Sequence, residues 1–461
     1  MDLGGHRAAR LQLGRRTKLV TRPGLLVLQA TIEDGLRRRF AELGGEIEWG
    51  RGVLGATNDG DGVTVTLTDG TVARCTWLVG CDGAHSHIRT VAGIDFPGVQ
   101  IIERFLLADV RAALPVPRDT VFVWLRGSDM FAAFPLPGTD LWRLMAPAPE
   151  DAAAGDETTP LDVMDLLIRQ MHERTGFPAS LVHQVEWTSV FRIHRRLAEH
   201  YRRGRILLAG DSAHIHSPLG GQGLNTGIGD AENLAWKLAL VVKARATTAL
   251  LDTYEAERRP IAAEVLESTS VLTRMVVGDS RLARVLRDRV FVPALNRPAV
   301  QRLIWEQASQ LKVSYRRGPL ARGPGGPLTF RPHLTSRPHP GDRVPDLACV
   351  RLDGGATRLH AELGSRWVLL TPSATTAHTA ELIGACGEIA RARLGAVTVL
   401  NPAAGRLHHA ILVRPDAHAG WCGKLSPEAL DGWLTAMLGV GRTPDHGQPD
   451  QRAAVTAPIL S

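Results

Sequence analysis

The stretch from Arg205 to Gly227 constrains the fold of this chain most. Arg205-Ile-Leu-Leu-Ala is a short apolar run of the kind that fits a strand buried on both faces. It leads into Gly210-Asp-Ser-Ala-His-Ile-His-Ser-Pro-Leu-Gly-Gly-Gln-Gly-Leu-Asn-Thr-Gly227, and a helical pattern follows from Ile228 to about Ala244. A strand, a glycine-rich loop and a helix in that order belong to an α/β layer architecture. The order also has chemical content. Asp211 stands at the strand end, where a carboxylate can accept from sugar-like hydroxyls, and the glycines let a planar ligand approach the backbone closely. Backbone N–H groups at the next helix start are free to face anionic oxygens.

At 461 residues the chain is larger than one hydrophobic core usually supports, so the remaining segments are read as parts of several domains. Leu25 to Glu48 reads as a helix feeding a strand, with Ile32, Leu36, Phe40 and Leu43 at helical spacing. Val63, Val65 and Leu67 alternate with threonines and return through Asp69-Gly70 as a hairpin. From Glu103 to about Trp187 short strands broken by proline turns, with one helix over Leu161 to Arg174, suggest an inserted mixed sheet that walls a pocket. Gly318 to Pro345 is rich in proline, glycine and arginine and reads as a linker. Beyond it, Trp367 to Thr371 and Ala396 to Leu400 are strand candidates, with helices over Thr379 to Leu394 and Pro427 to Leu438.

Composition excludes several function classes. Hydrophobic residues make up 44% and charged residues 22%, an ordinary globular balance. The net charge of +7 is spread thinly, and its short arginine runs carry no interleaved aromatics, so nucleic acid is not expected as a partner. No run of about eighteen apolar residues marks a membrane span, and the arginine-rich start lacks the apolar core of an export signal. The five cysteines have no CxxC spacing and leave one over in any pairing, which points to a reducing cytoplasm. His214 and His216 lie beside Asp211 but lack an evident third ligand, so no metal is expected.

With its continuation Asp230-Ala-Glu-Asn-Leu-Ala-Trp-Lys-Leu238, the glycine-rich stretch resembles the second FAD signature of the flavoprotein aromatic hydroxylases. The resemblance implies that Asp211 bonds the ribityl chain and that Gly210 belongs to the same turn. It places Pro218 along the flavin ring and Gly220, Gly221, Gly223, Leu224 and Asn225 at its pyrimidine edge. Leu78-Val-Gly-Cys-Asp-Gly-Ala-His-Ser-His-Ile-Arg89 is similar to the family's Asp-Gly signature, which gives Asp82, Gly83 and Arg89 places near the pyrophosphate and in NAD(P)H docking. Gln29 matches a family glutamine on the helix flanking the flavin, and Arg192 a position for stabilising anions or for a structural salt bridge. Gly341-Asp-Arg-Val-Pro-Asp346, Trp367 to Leu370 and Ile411-Leu-Val-Arg-Pro-Asp416 look like the thioredoxin-like domain of hydroxylases acting on phenols and aromatic polyketides. The cysteine pair of a redox thioredoxin is absent, which leaves Cys422 a structural or dimer-forming role.

The fold expected is therefore α/β: a Rossmann-like FAD-binding domain, N-terminally incomplete, with an inserted mixed β-sheet substrate domain and a thioredoxin-like C-terminal domain. The boundaries are 1–102 and 191–317 for the FAD-binding domain, 103–190 for the insert, 318–340 for the linker, 341–442 for the last domain and 443–461 for a flexible tail. The family's opening Gly-x-Gly-x-x-Gly is missing, since neither Gly4-Gly5 nor Gly14 follows an apolar strand. A late start or truncated gene, a variant binding FAD weakly, and a relic with non-redox work all remain open as explanations. The activity implied is an FAD- and NAD(P)H-dependent monooxygenase acting with molecular oxygen on a small phenolic or polycyclic aromatic substrate, with a homodimer as the assembly. A non-redox cyclase or dehydratase, or a partner of an intact hydroxylase, are the alternatives. Phe122, Trp124, Phe134 and Trp142, with Met130 and Phe131, alternate along the insert as pocket or core residues.

Overall fold

The computed structural model describes residues 8–12, 25–126, 129–148, 160–216, 221–277, 289, 292–321, 339–374, 376–404, 407–439 and 459–460. The opening glycines, Pro218, Gly220, most of the expected linker and most of the expected tail lie outside them, as does the Arg192 side chain.

Helix α1 (Gln29–Glu42) opens the first domain. A three-stranded antiparallel sheet follows, Val53–Asn58 with Val63–Leu67 and Val72–Cys75. Val63, Val65 and Leu67 are buried while Thr64 and Thr66 are not, so the period-two pattern of the sequence decides which face meets the core. Gly70 adopts φ +79° at the turn, a left-handed conformation that glycine takes without steric cost. Leu78–Gly80 then runs parallel to Ile206–Leu208, and short helix α2 (His87–Val91) lies beyond its end. Gly80 is required by packing, because a Cβ there would stand 2.8 Å from Ile88 and 3.1 Å from Leu208.

The insert is a seven-stranded sheet in the order Ala8–Gln12, Thr120–Arg126, Asp129–Pro135, Leu141–Pro147, Gly98–Ala112, Val182–Leu197 and His214–Ile215. Its two long strands pair from Ala112↔Val182 to Gly98↔Arg196 and so carry the chain out of the first domain and back. Helix α3 (Pro160–Thr175) covers one face of this sheet, burying Leu167 and Met171 against Leu106, Trp124 and Trp142.

After Ile215 the chain enters α4 (Gly223–Val242) and then α5 (Asp252–Val277), which contains Pro260. Helix α4 starts at Gly223, earlier than the sequence pattern predicts, because the end of the glycine loop itself winds into the first turn. The last domain is a six-stranded sheet in the order Ala356–Arg358, Ala348–Arg351, Val397–Pro402, Trp367–Leu370, Ala410–Val413 and Ala419–Gly423. Helices Ala377–Leu394 and Pro427–Leu438 pack against it. This core is continuous with α4: Trp236 meets Trp367 edge-on at 5.1 Å, and Leu240 joins the same cluster. Burial pushes the half-buried Cys422 thiol up to about 12, which keeps it in the unreactive neutral form at ordinary pH.

Candidate cofactor site

The site is built where Ile206–Leu208 ends. Gly210 takes φ +64° and opens a 3-10 turn over Gly210–Ser212. Ser212 is buried beneath this turn. Its hydroxyl donates to the Gly80 carbonyl at 2.6 Å, and its own carbonyl accepts from Arg89 Nη1 at 2.8 Å. These bonds join the ends of the two parallel strands. Asp211 is exposed on the outer side of the turn, with its carboxylate free of protein hydrogen bonds among the described residues.

The first turn of α4 closes on this turn through glycine alone. A Cβ added to Gly227 would lie 3.4 Å from the Gly210 Cα, so the two backbones meet without intervening side chains. The Gln222 side chain at the N-cap of α4 makes no capping hydrogen bond, and the first N–H groups of a helix have no partner within it. Leu224 is 46% exposed and Asn225 is also exposed. Gly221, at φ +62° and with nothing within 4 Å of where a Cβ would stand, leaves space in front of this helix start. A free carboxylate beside a row of uncapped donors fits the ribityl hydroxyls and pyrimidine carbonyls of FAD, as the sequence implies.

The other expected cofactor residues are placed differently. Asp82 accepts from Ser86 Oγ at 2.5 Å and from the Ile88 N–H at 3.0 Å, so its carboxylate braces the start of α2. Gly83 supplies the positive φ, +78°, that turns this loop. Arg89 is buried. Its second terminal nitrogen donates to the Ala84 carbonyl at 3.0 Å, and its guanidinium lies 3.8 Å from the Phe96 ring centre. Gln29 donates to Glu33 on its own helix at 2.8 Å. The insert aromatics divide by face: Phe122, Trp124, Phe131 and Trp142 are buried under α3, while Phe134 and Met130 lie on the opposite face beside Val292. Such alternation follows from strand geometry.

Beneath the site is a cluster of buried charges that apolar patterning and motif matching do not reveal. Asp230 Oδ2 accepts from the Gly210 N–H at 3.1 Å and from His214 Nε2 at 2.7 Å, and its Oδ1 accepts from Arg258 Nε at 2.7 Å. His214 thus serves the carboxylate of α4, and no cluster of metal-binding side chains occurs among the described residues. Two helical turns further along, Lys237 Nζ donates to Glu257 at 2.8 Å, and Arg414 of the last domain donates to both Glu257 oxygens at 2.8 and 2.9 Å. Burial would raise the Glu257 carboxyl, but Arg414 and Lys237 hold it down at about 2. Burial pulls the Lys237 ammonium down to about 8 against the opposing pull of Glu257. A signal is nonetheless present in the sequence, since Thr226, Asp230, Asn233 and Lys237 form a polar stripe along one side of an otherwise apolar helix.

Comparison with known proteins gives the same assignment. Residues 6–269 match the model of an FAD binding domain, and residues 337–440 match that of the aromatic-ring hydroxylase C-terminal domain. A Streptomyces rimosus 12-dehydrotetracycline 5-monooxygenase/anhydrotetracycline 6-monooxygenase is 36% identical over 428 residues, which span 90% of this chain and 80% of that protein. The chain belongs to the FAD-dependent aromatic-ring hydroxylases. A solved anhydrotetracycline hydroxylase from Streptomyces rimosus superposes on this hydroxylase with a TM-score of 0.71 at 32% identity, covering 93% of this chain and 86% of that one. A Diels-Alderase of pyrroindomycin biosynthesis shares the architecture at a TM-score of 0.62 and 29% identity, covering 88% and 78%. The hydroxylase is accordingly an FAD-dependent monooxygenase with the α/β, mixed-sheet and thioredoxin-like architecture of its family.

Proposed function

We propose that this hydroxylase draws electrons from NAD(P)H and adds one atom of molecular oxygen to a phenolic ring of a polycyclic polyketide. The observation that carries the reading is the junction of the Asp211 turn with the start of α4, which sets one free carboxylate beside a row of uncapped backbone donors. Likeness to tetracycline-modifying monooxygenases supports the polycyclic substrate class. When bound, FAD supplies the redox and oxygen chemistry.

The chain's own residues bind, orient and shield. Asp211 accepts from ribityl hydroxyls, the N–H groups of Leu224 and Asn225 face the pyrimidine edge, and Gly210, Gly221 and Gly223 leave room for the ring system. Pro218 and Gly220, which lie outside the described residues, are assigned to the cofactor by the sequence resemblance alone. The Asp82–Gly83 loop and Arg89 brace the neighbouring strand end, toward the pyrophosphate. Phe134, with Met130 beside it, offers the substrate an apolar wall on the sheet face away from α3, and Phe122, Trp124 and Trp142 stiffen that wall from behind. An apolar wall keeps water from the reacting centre and strengthens polar contacts made inside it. The reading places the enzyme in the cytoplasm, in keeping with its five free thiols. No helix among the described residues is long and apolar enough to cross a membrane.

The test supplies the purified chain with FAD, NADPH and anhydrotetracycline as a probe substrate. The expected result is substrate-stimulated NADPH oxidation, matching oxygen uptake and a product heavier by one oxygen atom. Ring closure of a polyene probe with no NADPH consumed would instead favour a cyclase, the reading that the likeness to a Diels-Alderase keeps in view.

A further inference from the structure

We propose that the thioredoxin-like domain sets the geometry of the flavin site through Tyr315 and Arg258, which act as positioning residues for the cofactor. The Arg414–His418 turn of the last domain reaches the first domain at Tyr315. His418 packs on the Tyr315 ring with centres 4.1 Å apart, and the Arg414 guanidinium lies 5.1 Å from the same ring centre. Tyr315 Oη in turn accepts from Arg258 Nη1 at 3.0 Å.

Arg258 is buried and serves both segments that face the flavin. Its Nε donates to Asp230, whose other oxygen holds the Gly210 N–H and therefore the Asp211 turn. Its Nη2 donates to the Thr226 carbonyl in the first turn of α4 at 2.9 Å. Gly229 makes room for this arrangement, because a Cβ there would stand 2.9 Å from Arg258 Nη2. The two segments approach closely at Gly210 and Gly227, and His214, just past the turn, donates from Nε2 to the same Asp230 oxygen as Gly210, at 2.7 Å. Asp230 thus carries the register of the two segments through one oxygen, while its other oxygen is held by Arg258, whose guanidinium is oriented by Tyr315. Hydrogen bonds to buried charges are strongly dependent on geometry, so a displaced guanidinium moves the cradle.

A second strut runs beside the first. Gln310 donates to Thr226 Oγ1 at 2.9 Å while its backbone holds φ +53°, a conformation that costs free energy for a residue other than glycine. Asn233 and Trp236, on the same helix, both donate to Asp416 of the last domain, at 3.3 and 3.2 Å. The last domain is thus fastened to the helix that presents the cofactor donors.

The experiment measures FAD affinity by flavin fluorescence, and the visible circular dichroism of bound flavin, in the full chain. Tyr315→Phe keeps the ring against His418 and removes only the acceptor for Arg258. The expected result is FAD binding about tenfold weaker, equivalent to ~1.4 kcal/mol, with a changed flavin dichroic spectrum. Gln310→Asn, which tolerates the positive φ but is too short to reach Thr226, should weaken FAD by about threefold, on the scale of one neutral hydrogen bond. It decides the matter if Tyr315→Phe fails to fold. Arg393→Ala breaks an ion pair with Asp431 inside the last domain and should change neither readout. A merely structural role predicts a lower melting temperature with FAD affinity and flavin spectrum unchanged, and that result overturns the proposal. A wild-type chain that binds no FAD overturns it together with the cofactor assignment, whereas wild-type binding with an indifferent Tyr315→Phe overturns the relay alone.

Discussion

Helices α1 and α4 are the two long helices that the sequence assigns to the flavin, and they are held in opposite ways. Helix α4 buries seven residues, among them Asp230, Asn233 and Lys237, and its apolar side enters the core of the last domain. Helix α1 buries none: Leu36 is 61% and Leu43 69% exposed, although both stand at the spacing of a buried stripe. What supports α1 is its own surface pairing, Arg37 with Glu33 at 2.9 Å and with Asp34 at 3.0 Å. Exposed pairs of this kind contribute about 0.3–0.5 kcal/mol each, and a helix of this length is marginal alone. Apolar periodicity thus specifies a helix but not its burial, which depends on a partner surface. On the family resemblance that assigns both helices to the flavin, the proposed site has a firm side on α4 and a lightly held side on α1.

The largest expected effect breaks the firm side. Asp230→Ala leaves Arg258 buried without its carboxylate, and loss of one member of a buried ion pair costs about 3–5 kcal/mol. Chemical denaturation of the variant should show that loss, and a change under about 1 kcal/mol would mean that α4 is held by its apolar contacts alone.

A smaller effect concerns acid. The Glu257 carboxyl, held at about 2, lies below its ordinary value of 4.5. Its contribution to stability is therefore complete above the ordinary value and is lost as pH falls from there toward 2. Glu257→Gln should remove this part of the slope of stability against pH while lowering stability at neutral pH. An unchanged acid slope in the variant would show that other carboxylates govern it.

The smallest effect belongs to α1. Leu36→Ser should change stability by less than about 0.5 kcal/mol, the range for surface positions. A loss of about 2 kcal/mol or more would show that α1 has a buried partner after all, and the contrast between the two helices would fail.

These contrasts explain what the sequence makes legible. The run Ile206–Leu208, the hairpin from Val63 to Cys75 and the helix Pro427–Leu438 follow from apolar runs, period-two alternation and a proline-led start capped by Ser426. The Asp211 turn is legible because Gly210 and Gly221 adopt φ of +64° and +62°, which glycine takes without steric cost. The start of α4 is not, since Gly223, Gly227 and Gly229 have poor helix propensity; Gly227 and Gly229 stand where Gly210 and Arg258 approach closely. The charge cluster escapes for a different reason. Glu257 and Arg414 lie 157 residues apart, and charged side chains are ordinarily read as surface. The division of the insert aromatics between two faces becomes visible only when strand pairing fixes the register, Trp124 opposite Phe131 and Leu125 opposite Met130.

The most direct test of the cofactor assignment is titration of FAD into the purified chain and its Asp211→Ala variant, followed by flavin fluorescence and absorption. Loss of hydrogen bonds to a charged acceptor is of order 1.5–3 kcal/mol, so the variant should bind FAD at least about tenfold more weakly than the wild type, with its melting temperature unchanged in the absence of flavin. Equal FAD affinity in the two proteins would contradict the account, because the exposed carboxylate at the end of Ile206–Leu208 would then take no part in holding the cofactor.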